Sequence, residues 1–295
     1  MLMNKIKAIW DLMRLGHGVM IAIAILIGSI IVIQGLPALD KFLLTFFTAL
    51  FLEASTFALN DYYDVGIDRT NKRMDRPLVR GDLSPKTALI LFIILFPLGI
   101  LCSYFVNPTC FLIALITALF AILYDAFLKK IKLLGNFFIA YVMAIPFVFG
   151  GAAVLTNNFL VLQVHPAIFI IACIAFLAGA GREIMKDVMD YEGDRILGVR
   201  SFPRYIGLRG SNGISAVFYL IAIALSFFPF FLPGFGVYYQ NIPYFVLVFL
   251  TDTMLLSTSI QLLVKKKPNM SFHRKFTLIA LCIGLLAFLV GAFTG

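Results

Sequence analysis

The chain has 295 residues, of which 61% are hydrophobic and only 13% charged, with a mean hydropathy of +0.99. An ordinary soluble domain carries about 25% charged and 45–50% apolar residues, so this balance excludes a soluble enzyme and leaves an all-α, polytopic membrane protein. In that class a net charge of +9 reflects basic residues flanking spans on one side of the bilayer, and nucleic acid is not an expected partner.

Taken in order, the apolar pattern predicts nine transmembrane helices, over 14–35, 41–60, 86–106, 109–127, 134–155, 165–186, 212–233, 243–264 and 274–294, since a span needs about 20 apolar residues. The breaks include Gly35-Leu36-Pro37, Asn107-Pro108 and Pro233-Gly234-Phe235-Gly236, while Lys129, Lys130 and Lys132 alone mark the one after the fourth span. No small-residue cleavage pattern follows the first segment, which reads as a retained helix. The whole of 1–295 reads as one domain. Cys102, Cys110, Cys173 and Cys282 stand singly in apolar stretches and read as small buried hydrophobes. With the N-terminus cytoplasmic, 23 of the 24 Lys and Arg residues fall on that side and only Lys41 on the other. The expected topology is therefore N-in, C-out.

Where the second span runs out stands Asn60-Asp61-Tyr62-Tyr63-Asp64-Val65-Gly66-Ile67-Asp68. On a helix, Asn60, Asp64 and Asp68 share one face, with Asp61 beside it. A second copy closes the sixth span, and Asp61, Asp64 and Asp68 map onto Asp187, Asp190 and Asp194 at one constant offset, 187 − 61 = 126. A basic link follows each copy. Both copies end even-numbered spans, so the expected arrangement is a parallel pseudo-repeat about an axis along the membrane normal, with the motifs facing across a central cavity.

Like charges at this spacing repel, and carboxylates near hydrocarbon are costly and seldom decorative. Eight of the 15 acids lie in 61–68 and 183–194. Oxygen donors without thiolate or imidazole select Mg²⁺ or Mn²⁺, so Asn60, Asp61, Asp64, Asp68, Asp187, Asp190 and Asp194 are the expected metal ligands. Acids on both sides, ringed by cations, describe a diphosphate bridged by metal, with two Mg²⁺ ions expected. A bridged diphosphate is a good leaving group from an allylic carbon, because metal and cations stabilise charge on the departing oxygens. Asn60, Asp64, Asp68, Asp190, Asp194 and Lys186 are the expected catalytic set, Lys186 taking the place of Asn60 in the repeat. Arg14, Arg73, Arg76, Arg182 and Arg195, with Tyr124 and either Lys129 or Lys130, are expected on the substrate. Arg14 also reads as a snorkelling anchor. His17, one turn after Arg14, reads as a hydrogen-bond partner of an acceptor or as a base. Glu53 faces the cavity or a neighbouring helix, and Asp252, among Thr251, Thr253 and Ser257, reads as an interhelical contact.

Asn60-Asp61-x-x-Asp64-x-x-x-Asp68 resembles the first signature of the UbiA superfamily of intramembrane prenyltransferases, and Asp187-x-x-Asp190-x-x-x-Asp194 the second. Nine spans, with motifs after the second and sixth, resemble that fold as well. Arg182-Glu183-Ile184-x-Lys186-Asp187, Glu192-Gly193-Asp194, Ala58-Leu59-Asn60-Asp61-Tyr62, Asp75-Arg76-Pro77-Leu78 and Leu134-Gly135-Asn136 are similar to the branch that makes archaeal ether lipids. That resemblance implies Mg²⁺-dependent transfer of a geranylgeranyl group from its diphosphate to the free hydroxyl of geranylgeranylglyceryl phosphate, on the cytoplasmic side of the cell membrane. The family's YxxxK signature is one residue longer here, from Tyr124 to Lys129, so Lys129 and Lys130 both stay open for that role. His17 stands where relatives often carry Asn.

Prenylation of an aromatic acid such as a hydroxybenzoate or naphthoate is the nearest alternative. The motifs of the CDP-alcohol phosphotransferases are missing. A cation transporter would carry its charges along a midplane path, whereas here they gather at one face. Oligomeric state is not legible.

Overall fold

A computed structural model of the chain describes residues 2–70, 73–128, 131–155, 165–196 and 198–295. Lys129 and Lys130 thus lie outside the described residues. All regular structure among those described is helical: α1 (Leu2–Met13), α2 (His17–Ile33), α3 (Leu39–Thr70), α4 (Pro77–Arg80), α5 (Pro85–Val106), α6 (Pro108–Leu123), α7 (Lys132–Ala153), α8 (Pro166–Ile196), α9 (Phe202–Ser226), α10 (Phe228–Phe231), α11 (Ile242–Val264) and α12 (Met270–Thr294). A π-helical turn, Tyr124–Leu128, extends α6, and a 3₁₀ turn, Pro233–Tyr238, follows α10.

Eight of these segments are long and apolar enough to cross a membrane, and the bent pair Lys5–Met13 and His17–Ile33 meets the same test only when taken together. The chain is a multi-pass membrane protein. Its surface carries the expected apolar side chains, such as Ile90, Ile93, Ile94, Leu119, Phe120, Val246 and Phe249, because lipid is the solvent there.

The helix starts follow from local chemistry. Asn107 and Asn241 each cap a helix by accepting from the backbone N–H three residues on, at 2.8 and 3.0 Å. Ser84 does the same for α5 at 3.2 Å. Proline follows each cap within two residues, where its missing N–H costs nothing.

Four of the predicted spans depart from the expected boundaries. Where a single span over 14–35 is predicted, α1 and α2 meet at a 45° bend around Arg14–Gly16. Arg14 takes a left-handed conformation there, with φ 49°, a strained state for a non-glycine residue. α3 and α8 run about ten residues past the predicted ends. At 32 and 31 residues each is about 45–50 Å long, whereas hydrocarbon is about 30 Å thick, and the surplus turns carry the acid motifs. α9 starts at Phe202 rather than 212, with a kink at Gly207 where φ is 73°.

Small residues set the packing between helices, as expected where lipid removes the usual hydrophobic drive. α2 crosses α7 so closely that a Cβ on Gly28 would strike the Phe147 carbonyl, and one on Gly150 the Ile25 carbonyl. Ser29 Oγ donates to the Gly150 carbonyl at 2.9 Å across that crossing. Beside it, Ile27, Ile31, Phe147, Ile168, Ile171, Tyr238, Tyr244 and Phe288 form one buried cluster joining α2, α7, α8, α11 and α12. Asp252 is an interhelical contact, as its neighbours suggest: it accepts from Ser226 Oγ at 2.7 Å.

Candidate active site

Both acid motifs occupy the last turns of the two long helices, and each is held by cations from elsewhere in the chain. In the first, Asp61 is buried and accepts from Arg14 at 3.1 Å and from Arg76 at 3.0 Å. The same Arg76 lies 3.8 Å from Asp68. In the second, Asp187 is buried and accepts from Asn136 at 2.7 Å, with Lys132 at 3.5 Å, while Lys132 donates to Asp194 at 2.6 Å. The repeat therefore extends to the pairing: one cation, Arg76 or Lys132, bridges the first and third acid of each motif. Those acids are two helical turns apart, about 10 Å along the axis, so the flexible cationic side chain reaches between them.

Arg73 feels the charge of both motifs. Arg73 donates twice to Asp75, at 3.0 Å each, and this pairing raises its pKa, with Asp68 of the first motif and Asp190 of the second adding to the effect. Arg73 thus holds Asp75 below the usual carboxylate range. Tyr124 lies within electrostatic reach of Asp64 and of Asp187. Its ring covers Gly135, where a Cβ would lie 2.6 Å from Tyr124 Cε2. Burial pushes the Asp68 carboxyl upward, partly opposed by Arg76 and reinforced by Asp64.

Several predicted residues gather here. Arg14, Arg76, Asp61 and Asp68 form one set of ion pairs, Asp187 and Asp194 a second around Lys132, Asn60 bonds to Asp125, and Asp190 is exposed on α8. Lys186 instead donates to Glu183 at 2.6 and 2.8 Å, with Arg182 3.5 Å from the same carboxylate. Arg195 is exposed in the last turn of α8. His17 lies 3.5 Å from Glu53.

Four partners escaped the sequence reading. Asp125, in the π-helical turn, accepts from Asn60 at 2.8 Å. Glu183 anchors Lys186. Lys132 and Asn136 both hold Asp187, and their signal was present: they stand four residues apart at the start of α7, hence on one face.

The donor set suits a hard cation. It consists of carboxylates with one amide, and Asp61 Oδ2 is buried without a partner. Among the described residues no three such side chains converge enough to hold an ion unaided. Mg²⁺ does not need that, since it keeps water and substrate phosphates in its shell and takes only one or two carboxylates.

An all-helical membrane bundle with two cation-braced acid motifs at one end defines a class, and the chain belongs to the UbiA prenyltransferase family, whose model matches residues 21–281. Within that family it is 41% identical over 294 residues to the digeranylgeranylglyceryl phosphate synthase of Archaeoglobus fulgidus, covering 99% of this chain and 97% of that one. A solved structure of digeranylgeranylglyceryl phosphate synthase in membranes superposes with a TM-score of 0.78 at 35% identity, over 98% of both chains. A UbiA homologue from Archaeoglobus fulgidus bound to DMAPP and Mg²⁺ shares the fold, with a TM-score of 0.59 at 17% identity over 95% of this chain and 98% of that one.

Proposed function

We propose that this protein transfers a geranylgeranyl group from geranylgeranyl diphosphate to the free hydroxyl of geranylgeranylglyceryl phosphate, releasing diphosphate. The observation that carries this reading is the pair of cation-braced acid motifs ending α3 and α8, in a chain 41% identical along its length to a digeranylgeranylglyceryl phosphate synthase. The donor and Mg²⁺ are supported by the UbiA homologue bound to DMAPP and Mg²⁺.

In this reading Asn60, Asp61, Asp64, Asp68, Asp187, Asp190 and Asp194 are the groups that would hold two Mg²⁺ ions. Asp61 and Asp187, the buried first acids, orient the cations around them. Bound Mg²⁺ supplies Lewis-acid stabilisation of charge on the leaving diphosphate. The chain's own cations do the rest. Arg73, Arg76 and Lys132 turn from their acids toward the phosphates, and Lys186 leaves Glu183 to do the same. Arg14, Tyr124, Arg182, Arg195 and the lysines 129 and 130 complete the phosphate and acceptor contacts. Once turned, these cations face the oxygens on which charge develops, the arrangement that stabilises a leaving group. The acceptor is itself a phosphate, which fits the surplus of cations over the donor's needs.

The bent first pair counts as one span in this reading, which makes nine, N-in and C-out, around a central cavity. The site then faces the cytoplasm and the prenyl tails lie among the helices. A membrane lipid precursor reaches it from the bilayer.

Purified protein offered radiolabelled geranylgeranyl diphosphate and Mg²⁺ should label geranylgeranylglyceryl phosphate. Labelling of a hydroxybenzoate or naphthoate alone would sink the lipid reading and leave the aromatic one.

A further inference from the structure

Beneath the phosphate end of the site lies a polar pair that the roles above do not use. His17, in the first turn of α2, sets its Nδ1 3.5 Å from Glu53 Oε1 on α3. The imidazole is 58% exposed and the carboxylate 15%. Its ring meets Phe57 edge-on, with centroids 5.7 Å apart, and the Arg14 guanidinium carbon lies 4.0 Å from the centroid of that same Phe57. Arg14 in turn reaches Asp61. The pair thus adjoins the donor site through one shared aromatic ring without touching its acids.

Position along α3 gives this neighbourhood its meaning. Residues 53, 57, 60 and 64 fall on one face of the helix. Glu53 is seven residues, about 10 Å, deeper than Asn60. A donor whose phosphates sit at 60–68 must send its tail toward hydrocarbon, so C1 lies below the phosphates on this face. Its attacking partner then comes close to Phe57 and His17. The left-handed Arg14 supports this arrangement, because the bend it makes starts α2 at His17 and turns the imidazole toward α3.

A carboxylate inside a span is costly unless it is used or paired. When His17 donates Nδ1–H to Glu53, the lone pair is left on Nε2, the tautomer a general base requires. The 3.5 Å separation is long for a hydrogen bond, as resting dyads often are before substrate binds.

We infer that His17, oriented by Glu53, takes the proton from the acceptor hydroxyl as its oxygen bonds to C1 of the allylic donor. The inference rests on the transferase reading above. The C1–O bond to diphosphate breaks and its electron pair leaves with the diphosphate. A lone pair of the acceptor oxygen forms the new C1–O ether bond. The hydroxyl proton moves to His17 Nε2, and the imidazolium, paired with Glu53, returns it to water. His17 is the catalytic residue and Glu53 a positioning residue.

The test uses full-length purified enzyme with Mg²⁺, geranylgeranyl diphosphate and geranylgeranylglyceryl phosphate. His17→Ala should lower kcat about 100-fold, within the range for loss of a general base. Affinity for geranylgeranyl thiolodiphosphate, a slowly reacting donor analogue, should stay within about threefold, since ground-state donor binding is untouched. Added imidazole should restore much of the lost rate. Glu53→Gln should lower kcat about tenfold with donor affinity kept and no imidazole rescue, because the base is present but misoriented. His17→Gln, which keeps a hydrogen-bonding side chain, guards against misfolding and should show the same loss as His17→Ala. Transfer by His17→Ala within about threefold of wild type overturns the inference. A loss that imidazole does not restore, or that donor affinity follows, also overturns it and assigns His17 to binding. Wild-type enzyme that fails to prenylate the glycerophosphate overturns the transferase reading, and this inference with it.

Discussion

In each acid motif the buried first aspartate is tolerated at the end of a membrane helix because a cation lies within reach. Asp61 has Arg14 and Arg76, and Asp187 has Lys132 and Asn136. Removing one partner of such a pair costs more than the pair contributes, since it strands a buried charge. Lys132→Met should therefore lower stability by about 1–3 kcal/mol in chelator, and Mg²⁺ with diphosphate should recover most of it. Thermal unfolding with and without the ligands measures both, and an unchanged Tm in chelator would show that Lys132 does not brace the motif. Asp64→Asn and Asp190→Asn should each leave a folded protein with turnover reduced at least about 100-fold, the scale of losing electrostatic stabilisation of a leaving group. Full activity of both would refute the metal assignment. Lys186→Met should raise KM for the diphosphate donor more than for the acceptor. Equal effects on the two KM values would leave Lys186 to its present partner, Glu183.

At the level of elements, the decisive features are two over-long helices and one broken one. α3 and α8 carry their motifs beyond hydrocarbon because their length exceeds its thickness by several turns. α1 and α2 break at Arg14, and that break directs the guanidinium back to Asp61. The crossing of α2 and α7 then fixes how deep His17 sits, and it depends on Gly28 and Gly150 having no side chain. Gly28→Leu should force the helices apart and destabilise the protein by about 1–3 kcal/mol, the usual cost of overpacking. Loss of detergent-solubilised monodispersity and a lowered Tm would report it. A variant as stable as wild type would mean the crossing relaxes without cost.

For the whole molecule, the one-sided charge implies a testable orientation. Lys41→Cys should react with a membrane-impermeant thiol reagent from outside intact cells, and Lys267→Cys only after the membrane is opened, in a background lacking the four native cysteines. The reverse pattern would invert the topology and move the site to the outer face.

Residue order alone settled a good deal. Helical class, membrane residence and the two acid motifs with their shared offset follow from hydropathy, period and spacing, which are local properties of the chain. Asp61, Asp68, Asp187 and Asp194 stand out in the sequence because charge in an apolar context is expensive and seldom accidental. The partners of those acids were not legible. Arg76 is 15 residues from Asp61 and Lys132 is 62 from Asp194, and only the folded bundle determines which cation neutralises which carboxylate. Nor could sequence pair His17 with Glu53, since their 3.5 Å approach depends on a bend at Arg14 and a glycine-tight helix crossing. Spacing along one helix is set by covalent geometry, whereas pairing between helices is set by packing, and that exists only once the chain has folded.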